Sequence, residues 1–495
     1  MDYALLMSTF QPPPGQRAWP RQRQLHECLR AAIRDGRLAA GTRLVATRAL
    51  AAELGMARNT VLYAYEQLAS EGYVSTDRRG TVVAALPAPA APGAAVAPPH
   101  AGLSRRARAL RGVMPQEILA GAFMPGVPAL EAFPLTLWRR MLERAWRALP
   151  VQRLHYGDTA GEAPLRAAIA DHLRAARGVV CEAGQVFITD GTQSSLDLCA
   201  RSFADAGDTV WLENPGYGGA LAACRAAALR VVGIAVDADG IAPAPADWRR
   251  RRPRLIYATP SHQYPTGSVL SLPRRLALID GARAAGALII EDDYDSEFRH
   301  DGPPLPAMQG LVADAPVLYL GTFSKTMFPA LRIGFIVVPR ALAPAFAALL
   351  AQTASRGRVA EQLALAEFLR SGQFALHLRR MRRLYRQRRD ALVAALRRHF
   401  DGLATVHGGS AGMHLALRFD SAALDDAALS AQAARLGIVA PALSAQASAP
   451  GHGWRGFMLG YAQLPAERMA APVAALAALV RAALTAGPAS SSSSR

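Results

Sequence analysis

Lysine is almost missing from this chain: of 56 lysines and arginines in 495 residues, only Lys325 is a lysine. Cysteine is scarce as well. Cys28, Cys181, Cys199 and Cys224 form no C-x-x-C pair and lie near few histidines, so neither a disulfide framework nor a zinc site is expected, and the metal complement is set at none. No stretch of ~18 purely apolar residues occurs, and the opening "MDYALLMSTFQPPPG" has neither a basic n-region nor a long apolar h-region. A cytoplasmic protein without a membrane partner is the expectation. Acids are outnumbered, 38 against 56 basic residues, and the formal net charge of +18 favours a polyanionic partner such as nucleic acid. Hydrophobic residues at 51% and charged residues at 19% suit a globular protein, and the length calls for at least two domains.

Two stretches cannot build a core. "LPAPAAPGAAVAPPH", Leu86 to His100, repeats proline among small residues and reads as a semi-rigid spacer; the closing "PASSSSSR" reads as a tail. The expected organisation is an N-terminal tail (1–15), a small domain (16–84), a Pro/Ala-rich linker (85–112), a large domain (113–485) and a Ser-rich tail (486–495).

The small domain has the pattern helix, turn, helix, hairpin. "TRALAAELG" offers Thr47 as N-cap, Leu50 and Leu54 one turn apart, and Gly55 as a stop. A second helix runs through "ARNTVLYAYEQLASEG", with Val61, Tyr65 and Leu68 on one face and Gly72 at its end. Arg58, Asn59 and Thr60 crowd its first turn, as in a helix that enters the major groove by its N-terminal end while Thr47 and Arg48 on the preceding helix brace the DNA backbone. "YVSTDRRGTVVA" follows as two β-prone runs around Arg78 and Arg79, a basic wing. From Arg17 to Val83 eleven arginines face six acids.

In the large domain apolar strand-like runs alternate with helical ones, as in a parallel α/β fold. Four runs, "VFIT" (Val186 to Thr189), "TVWLE" (Thr209 to Glu213), "ALII" (Ala287 to Ile290) and "VLYL" (Val317 to Leu320), pass directly into "DGTQSS", "NPGYGG", "EDDYDSEF" and "GTFSK". Ligands collect at the carboxyl ends of strands in open α/β sheets, so four such ends imply one pocket. Lys325 is its natural centre. A primary amine condenses with an aldehyde to an imine, whereas a guanidinium stays protonated and is a poor nucleophile. The one position that keeps an amine should be the one that needs nucleophilic nitrogen, and that chemistry points to pyridoxal 5′-phosphate.

Three further requirements can be matched. A carboxylate must keep the pyridine nitrogen protonated; Asp292 is the candidate and Asp293 its competitor. Phosphate needs donors, which a helix start at Gly191, Thr192 and Gln193 supplies, with Thr322 and Arg332 converging from the lysine segment. An aromatic face and a donor to the 3′-oxygen are offered by Tyr217 and Tyr294. A further basic stretch, "HLRRMRRLYRQRRDALVAALRRHF", can line Leu378, Met381, Tyr385, Leu392 and Leu396 along one side of a helix. It reads either as an amphipathic packing helix or as an added DNA contact.

Residues 16–84, through "LRAAIRDGRLAAGTRL", "TRALAAELGMARNTVLYAYEQLASEGY" and "RRGTVV", resemble the winged helix-turn-helix of the GntR superfamily. There are departures: "VAT" at Val45 to Thr47 and Ala57 stand where members often carry proline and hydroxyl residues, and the wing is short by about two residues. Residues from about Ala122 to Leu484, through "FMPGVPALEAFP", "YGDTAGEAPLRAAIADHL", "ITDGTQSSLDL", "ENPGYGG", "ATPSHQYPTG", "EDDYDSEFR" and "GTFSKTMFPALRIGF", resemble a fold-type I aminotransferase domain: a mostly parallel sheet with helices on both faces and a small C-terminal subdomain. Together they look like the MocR subfamily of GntR regulators.

That resemblance implies a homodimeric transcriptional regulator of double-stranded DNA that senses the cofactor, alone or with an amino compound; a working aminotransferase is the alternative. It implies that Lys325 holds the cofactor as an imine, Asp292 pairs with the pyridine nitrogen, Tyr294 touches the 3′-oxygen, Tyr217 stacks on the ring and Arg332 binds phosphate. Tyr156 is implied to reach the cofactor phosphate of a partner subunit. Arg455, in "GHGWRGFMLGYAQL", is the nearest match to the arginine that takes an amino acid's carboxylate. A second arginine found in some members after the stacking tyrosine is replaced here by Gly218 and Gly219.

Overall fold

The computed structural model describes residues 2–10, 19–86, 102–108, 110, 121–302, 305–354, 357–449 and 453–485. It divides into two compact units, Met1–Gly102 and Leu103–Arg495. Most of the proline-rich spacer (87–101) and the serine tail (486–495) fall outside the described residues.

The first unit opens with a helix where the sequence suggested a tail. α1 (Tyr3–Thr9) is capped by the Asp2 carboxylate, which accepts from the Leu5 amide, and it buries Tyr3 and Leu6 in the unit's core. Three helices follow: α2 (Arg21–Arg34), α3 (Thr47–Glu53) and α4 (Arg58–Ser70). Leu25 and Leu29 of α2 meet Leu50 of α3 and Val61, Tyr65 and Leu68 of α4, all buried, each worth ~1.5–3 kcal/mol relative to exposure. The Tyr65 hydroxyl donates to the Val45 carbonyl at 2.8 Å. β1 (Val74–Asp77) and β2 (Gly80–Val83) pair antiparallel with Asp77 opposite Gly80, which leaves Arg78 and Arg79 as the two-residue tip. Thr47 is not the N-cap of α3. Helical geometry begins at Thr47 itself, Ala46 occupies the cap position, and neither α3 nor α4 has a side-chain cap.

In the second unit the elements run α5 (Arg105–Arg108), α6 (Leu135–Arg147), α7 (Ala163–Arg177), β3 (Val186–Thr189), α8 (Thr192–Phe203), β4 (Thr209–Asn214), α9 (Gly218–Ala226), β5 (Arg230–Asp237), β6 (Gly240–Ile241), α10 (Pro245–Arg250), β7 (Leu255–Ala258), α11 (Leu272–Ala285), β8 (Leu288–Asp293), β9 (Val317–Thr322) and β10 (Gly334–Val337). The chain ends with α12 (Ala343–Thr353), α13 (Val359–Arg370), α14 (Gln373–Phe400), β11 (Ala404–His407), β12 (His414–Phe419), α15 (Asp426–Arg435), β13 (Gly456–Gly460) and α16 (Ala470–Thr485).

β3 to β10 form one eight-stranded sheet in the order β3-β10-β9-β8-β7-β4-β5-β6. The pairs from β5 through β9 are parallel, and β10 and β6 run antiparallel to their neighbours. Alternation along a strand sends side chains to opposite faces. Val210 and Leu212 join α8, α9 and α12 on one side, while Trp211 joins α11 on the other. β11, β12 and β13 make a separate antiparallel sheet in the C-terminal region.

Two strands run further than the apolar pattern suggested. β8 continues through the three acids Glu291, Asp292 and Asp293, and β9 through Gly321 and Thr322, with Asp292 opposite Leu320 and Asp293 opposite Gly321. Buried acids are tolerated in a strand only when partnered. Glu291 accepts from the Met308 and Gln309 amides, Asp292 from the Tyr257 hydroxyl, and Asp293 from Arg177 and the Tyr319 hydroxyl.

The basic stretch is α14, 28 residues long. Leu378, Met381, Tyr385, Leu392 and Leu396 are all buried, so its apolar stripe packs. Helix 466–485, by length and composition alone, is apolar enough to cross a membrane; within it Val473, Leu476, Ala477 and Val480 are buried in the core.

Candidate functional site

The ends of β4, β7, β8 and β9 and the segments that follow them enclose a cavity of about 220 Å³. Its walls bring together five of the residues named from sequence: Thr192, Tyr217, Asp292, Tyr294 and Lys325. Pro125, Gly126, Tyr257, Tyr264, Asp295, Met413 and His414 complete the lining.

Lys325 follows β9, and its Nζ donates to the Gly126 carbonyl at 2.8 Å. A Cβ on Gly126, whose φ is +73°, would sit 2.8 Å from Nζ, so this loop can approach the lysine only as glycine. Burial pushes the Lys325 ammonium below its ordinary pKa, with Asp295 and Asp292 opposing that shift. A lower pKa favours the uncharged, nucleophilic form of the amine.

Asp292 is 3% exposed. Its Oδ2 accepts from the Tyr257 hydroxyl at 2.9 Å, and its Oδ1 is buried with no partner. Desolvation pushes this carboxyl up to about 7, with the Tyr257 hydrogen bond opposing. Asp293, the alternative, points its Oδ2 at Arg177 and Tyr319 and lies outside the cavity lining. Of the two candidates, Asp292 alone lines the cavity.

Tyr217 caps α9, and its ring lies edge-on to Tyr264 with centroids 5.4 Å apart. A Cβ on Gly219 would meet the Tyr217 ring at 2.4 Å; the glycine gives the ring its room. The Tyr294 hydroxyl donates to the His262 carbonyl at 2.9 Å.

Gly191 precedes α8 with φ +91°, and a Cβ there would strike the Arg332 guanidinium at 3.1 Å. Arg332 donates to the Asp190 carbonyl at 2.6 Å. Gln193 donates to the Gly219 carbonyl at 3.0 Å, and Thr322 Oγ1 accepts from the Ser324 amide at 3.1 Å. Gln193 and Arg332 line an open cleft beside Thr192, together with Asp190 and Arg358. Thr192 at the start of α8 lines the cavity itself, and Gln193 and the Arg332 guanidinium line the adjoining cleft, donors of the kind that hold a phosphate.

These features form a consistent test for pyridoxal 5′-phosphate. The orphaned Asp292 oxygen, the side-chain-free approach at Gly126 and Gly191, and the donors around Arg332 match its ring nitrogen, aldehyde and phosphate in turn.

Other predicted residues lie elsewhere. Arg455 is not brought to the cavity: its side chain is exposed and donates to the Leu424 carbonyl at 3.3 Å. The strand residue that follows, Gly456, sits with φ +139° against the backbone of β12, so Arg455 ends outside the buried strand. Tyr156 is 88% exposed. In the first unit Arg48, Arg58, Asn59, Arg78 and Arg79 are exposed and Thr47 and Thr60 half-buried, a single set of polar groups from α3, the start of α4 and the wing tip.

Sequence reasoning gave no role to Tyr257, Tyr264, Asp295, Met413 or His414. Tyr264 and Asp295 stood inside quoted motifs. Tyr257 lies within the apolar run of β7, and Met413 and His414 come from the residue before β12 and its first residue, far along the chain, where no local pattern marks them. His262, Asp295 and His414 place one donor atom each within 4.8 Å of one another. Hydrogen bonds engage the group: His262 Nδ1 with Asp295 Oδ2 at 3.0 Å, and His414 Nε2 with the Pro265 carbonyl at 3.2 Å.

Comparison with known proteins adds independent observations. Residues 132–449 match the aminotransferase class I and II family, and residues 21–83 match the bacterial regulatory proteins of the gntR family. The chain is 43% identical over 460 residues to the probable rhizopine catabolism regulatory protein MocR of Rhizobium meliloti, covering 91% of this chain and 92% of that one. It is 34% identical to the pyridoxine biosynthesis transcriptional regulator PdxR of Corynebacterium glutamicum, covering 75% and 78%. Among solved structures it is similar to LysN, an alpha-aminoadipate aminotransferase of Thermus thermophilus complexed with N-(5′-phosphopyridoxyl)-L-leucine. The TM-score is 0.66 and the identity 29%, over 77% of this chain and 96% of that one.

Proposed function

The chain belongs to the GntR-type transcriptional regulators that carry an aminotransferase class I and II domain, and from that membership we propose that Lys325 carries pyridoxal 5′-phosphate and that the loaded domain governs operator binding. The observation that carries the proposal is the pairing, in one cavity, of a buried solitary lysine with an aspartate whose free oxygen has no partner.

Each residue has a defined task in this reading. Lys325 supplies the neutral amine that anchors the cofactor. Asp292, fixed by Tyr257, holds a proton at the ring nitrogen. Tyr217 covers one face of the ring, and Tyr294 stands at its oxygen substituent. Gly191, Thr192, Gln193, Thr322 and Arg332 hold the phosphate. When bound, the cofactor supplies an electrophilic carbon reactive toward primary amines.

The DNA-facing set is Thr47, Arg48, Arg58, Asn59, Thr60, Arg78 and Arg79, with the start of α4 in the major groove. It belongs to a different unit of the chain from the cofactor site, so control is a coupling between two sites. A ligand shifts operator affinity only by as much as it prefers one arrangement of the domains.

A homodimer fits the exposed apolar run Trp146, Val151, Leu154 and Tyr156, which a second copy would cover. Tyr156 of the partner subunit would then complete the phosphate site. The proposal places the protein in the cytoplasm, with its DNA.

The test is direct. Purified protein is expected to absorb visible light and to retain cofactor on Lys325 after borohydride reduction and peptide mapping. Lys325→Ala is expected to abolish both and to change the gel shift of the chain's own upstream DNA. A colourless wild-type protein refutes the sensor; a coloured one without salt-sensitive DNA binding leaves an aminotransferase.

A further inference from the structure

Resting on the assignment of the cofactor to Lys325, we propose that the amine sensed in this cavity carries no carboxylate, and that the site selects a hydroxyl-bearing primary amine over an amino acid. The lining residues left over from the cofactor are Pro125, Tyr264, Asp295, Met413 and His414. None of them is a cation.

Asp295 is 2% exposed. One of its oxygens accepts from His262, and the other, Oδ1, is buried with no partner. It therefore offers an acceptor to an ammonium or a hydroxyl and repels an anion. His414 donates its Nε2 proton to the Pro265 carbonyl, so its other ring nitrogen is an acceptor in the neutral tautomer. Burial, with His262 and Lys325 nearby, holds this imidazole well below its ordinary pKa. Burial pushes the Tyr264 phenol upward, and it stays a neutral hydroxyl.

The positions suited to a balancing charge carry none. Among the described residues no arginine lines the cavity, Arg455 is exposed and bonded to Leu424, and the residues after Tyr217 are glycines. Arg332 opens on the neighbouring cleft and is bonded to Asp190. Lys325 is held toward its uncharged form by burial. A carboxylate entering here is desolvated without a counter-ion and beside Asp295, the arrangement that selectivity by unpaired charge penalises most. A hydroxymethyl group in its place finds acceptors at Asp295 and His414 and a donor at Tyr264.

Matched ligands isolate this difference. Cofactor-loaded full-length protein is titrated with 2-amino-1,3-propanediol and 2-aminoethanol, and in parallel with L-serine and glycine, in which a carboxylate replaces one hydroxymethyl group. Binding is followed by the visible spectrum and by calorimetry. The amino alcohols are expected to half-saturate at concentrations at least tenfold below their amino-acid counterparts. Pro125→Arg, checked for folding by its melting temperature, is expected to move that ratio tenfold or more toward the amino acids.

Equal or tighter binding of L-serine and glycine overturns the proposal, as does failure of both amino alcohols to bind or an unchanged ratio in folded Pro125→Arg. A wild-type protein with no visible band that Lys325→Ala removes would instead overturn the cofactor assignment on which it rests.

Discussion

Replacing Asp292 with asparagine is expected to act in opposite directions on the empty and the loaded protein. In the empty protein Asp292 is a buried carboxyl with one hydrogen bond, from Tyr257, and its pKa rises from 3.8 to about 7 because of desolvation. A folded-state pKa above the unfolded value means that the folded chain holds the proton more tightly. Stability is therefore fully present below about pH 4 and declines as pH rises through about 7. At 1.36 kcal/mol per pKa unit the three-unit rise amounts to ~4 kcal/mol at alkaline pH, an order-of-magnitude ceiling. Asparagine keeps the shape and can still accept from Tyr257, so apo Asp292→Asn should melt above the wild type at pH 8.5, and the advantage should be well under half as large at pH 5 and vanish below about pH 4. In the loaded protein a charge-assisted bond becomes a neutral one, a loss of about 1–1.5 kcal/mol, or roughly tenfold in cofactor affinity. Asp292→Ala leaves the ring nitrogen unpartnered, with a loss of ~3 kcal/mol or more, over a hundredfold. Differential scanning fluorimetry at the two pH values and equilibrium dialysis of cofactor check both halves. If the apo melting difference is the same at pH 5 and pH 8.5, or if Asn and Ala variants bind cofactor like wild type, Asp292 does not face the ring nitrogen.

The remaining predictions concern the small domain and Tyr217. Arg58→Gln together with Arg79→Gln should weaken DNA binding and reduce the slope of log affinity against log salt by nearly two, measured by fluorescence anisotropy; an unchanged slope removes these arginines from the phosphate contacts. Ala57→Ser gives α4 the side-chain cap it lacks and should stabilise the isolated or tethered domain by about 0.5–1 kcal/mol in urea melts, with no gain meaning that the α4 amides already have partners. Gly219→Val should displace the Tyr217 ring, which a Cβ would meet at 2.4 Å, and lower cofactor affinity at least tenfold; wild-type affinity in that variant would show that the ring has no part in holding cofactor.

What could be read from the sequence was what local chemistry dictates. Lys325 stood out by type, Gly55 and Gly72 marked real helix stops with φ of +58° and +77°, and the apolar stripe of α14 is buried as its spacing requires. Strand ends were misjudged where polar residues continue a buried strand. The pattern EDD in β8 looks like a loop until Tyr257, Arg177, Tyr319 and the Met308 and Gln309 amides are brought to it, and none of these is adjacent in sequence. Thr47 was chosen as a cap by residue type, but capping depends on where helical backbone geometry starts, and Ala46 holds that place.

The same distinction explains Arg455. An arginine near the right motif satisfies a pattern, whereas reaching the cavity requires the chain to carry its side chain inward, and the bulky neighbours there are instead His414 of β12 and Met413 just before it. Residue type thus singled out Lys325 as the candidate anchor, because imine chemistry belongs to one side chain. The charge of the ligand-facing wall belongs to no single residue. It is a sum over groups from the loop at Pro125, the turn at Tyr264, the segment after β8 and the strand β12, so its sign becomes visible only when the chain is folded. That sum contains Asp295 and no arginine among the described residues.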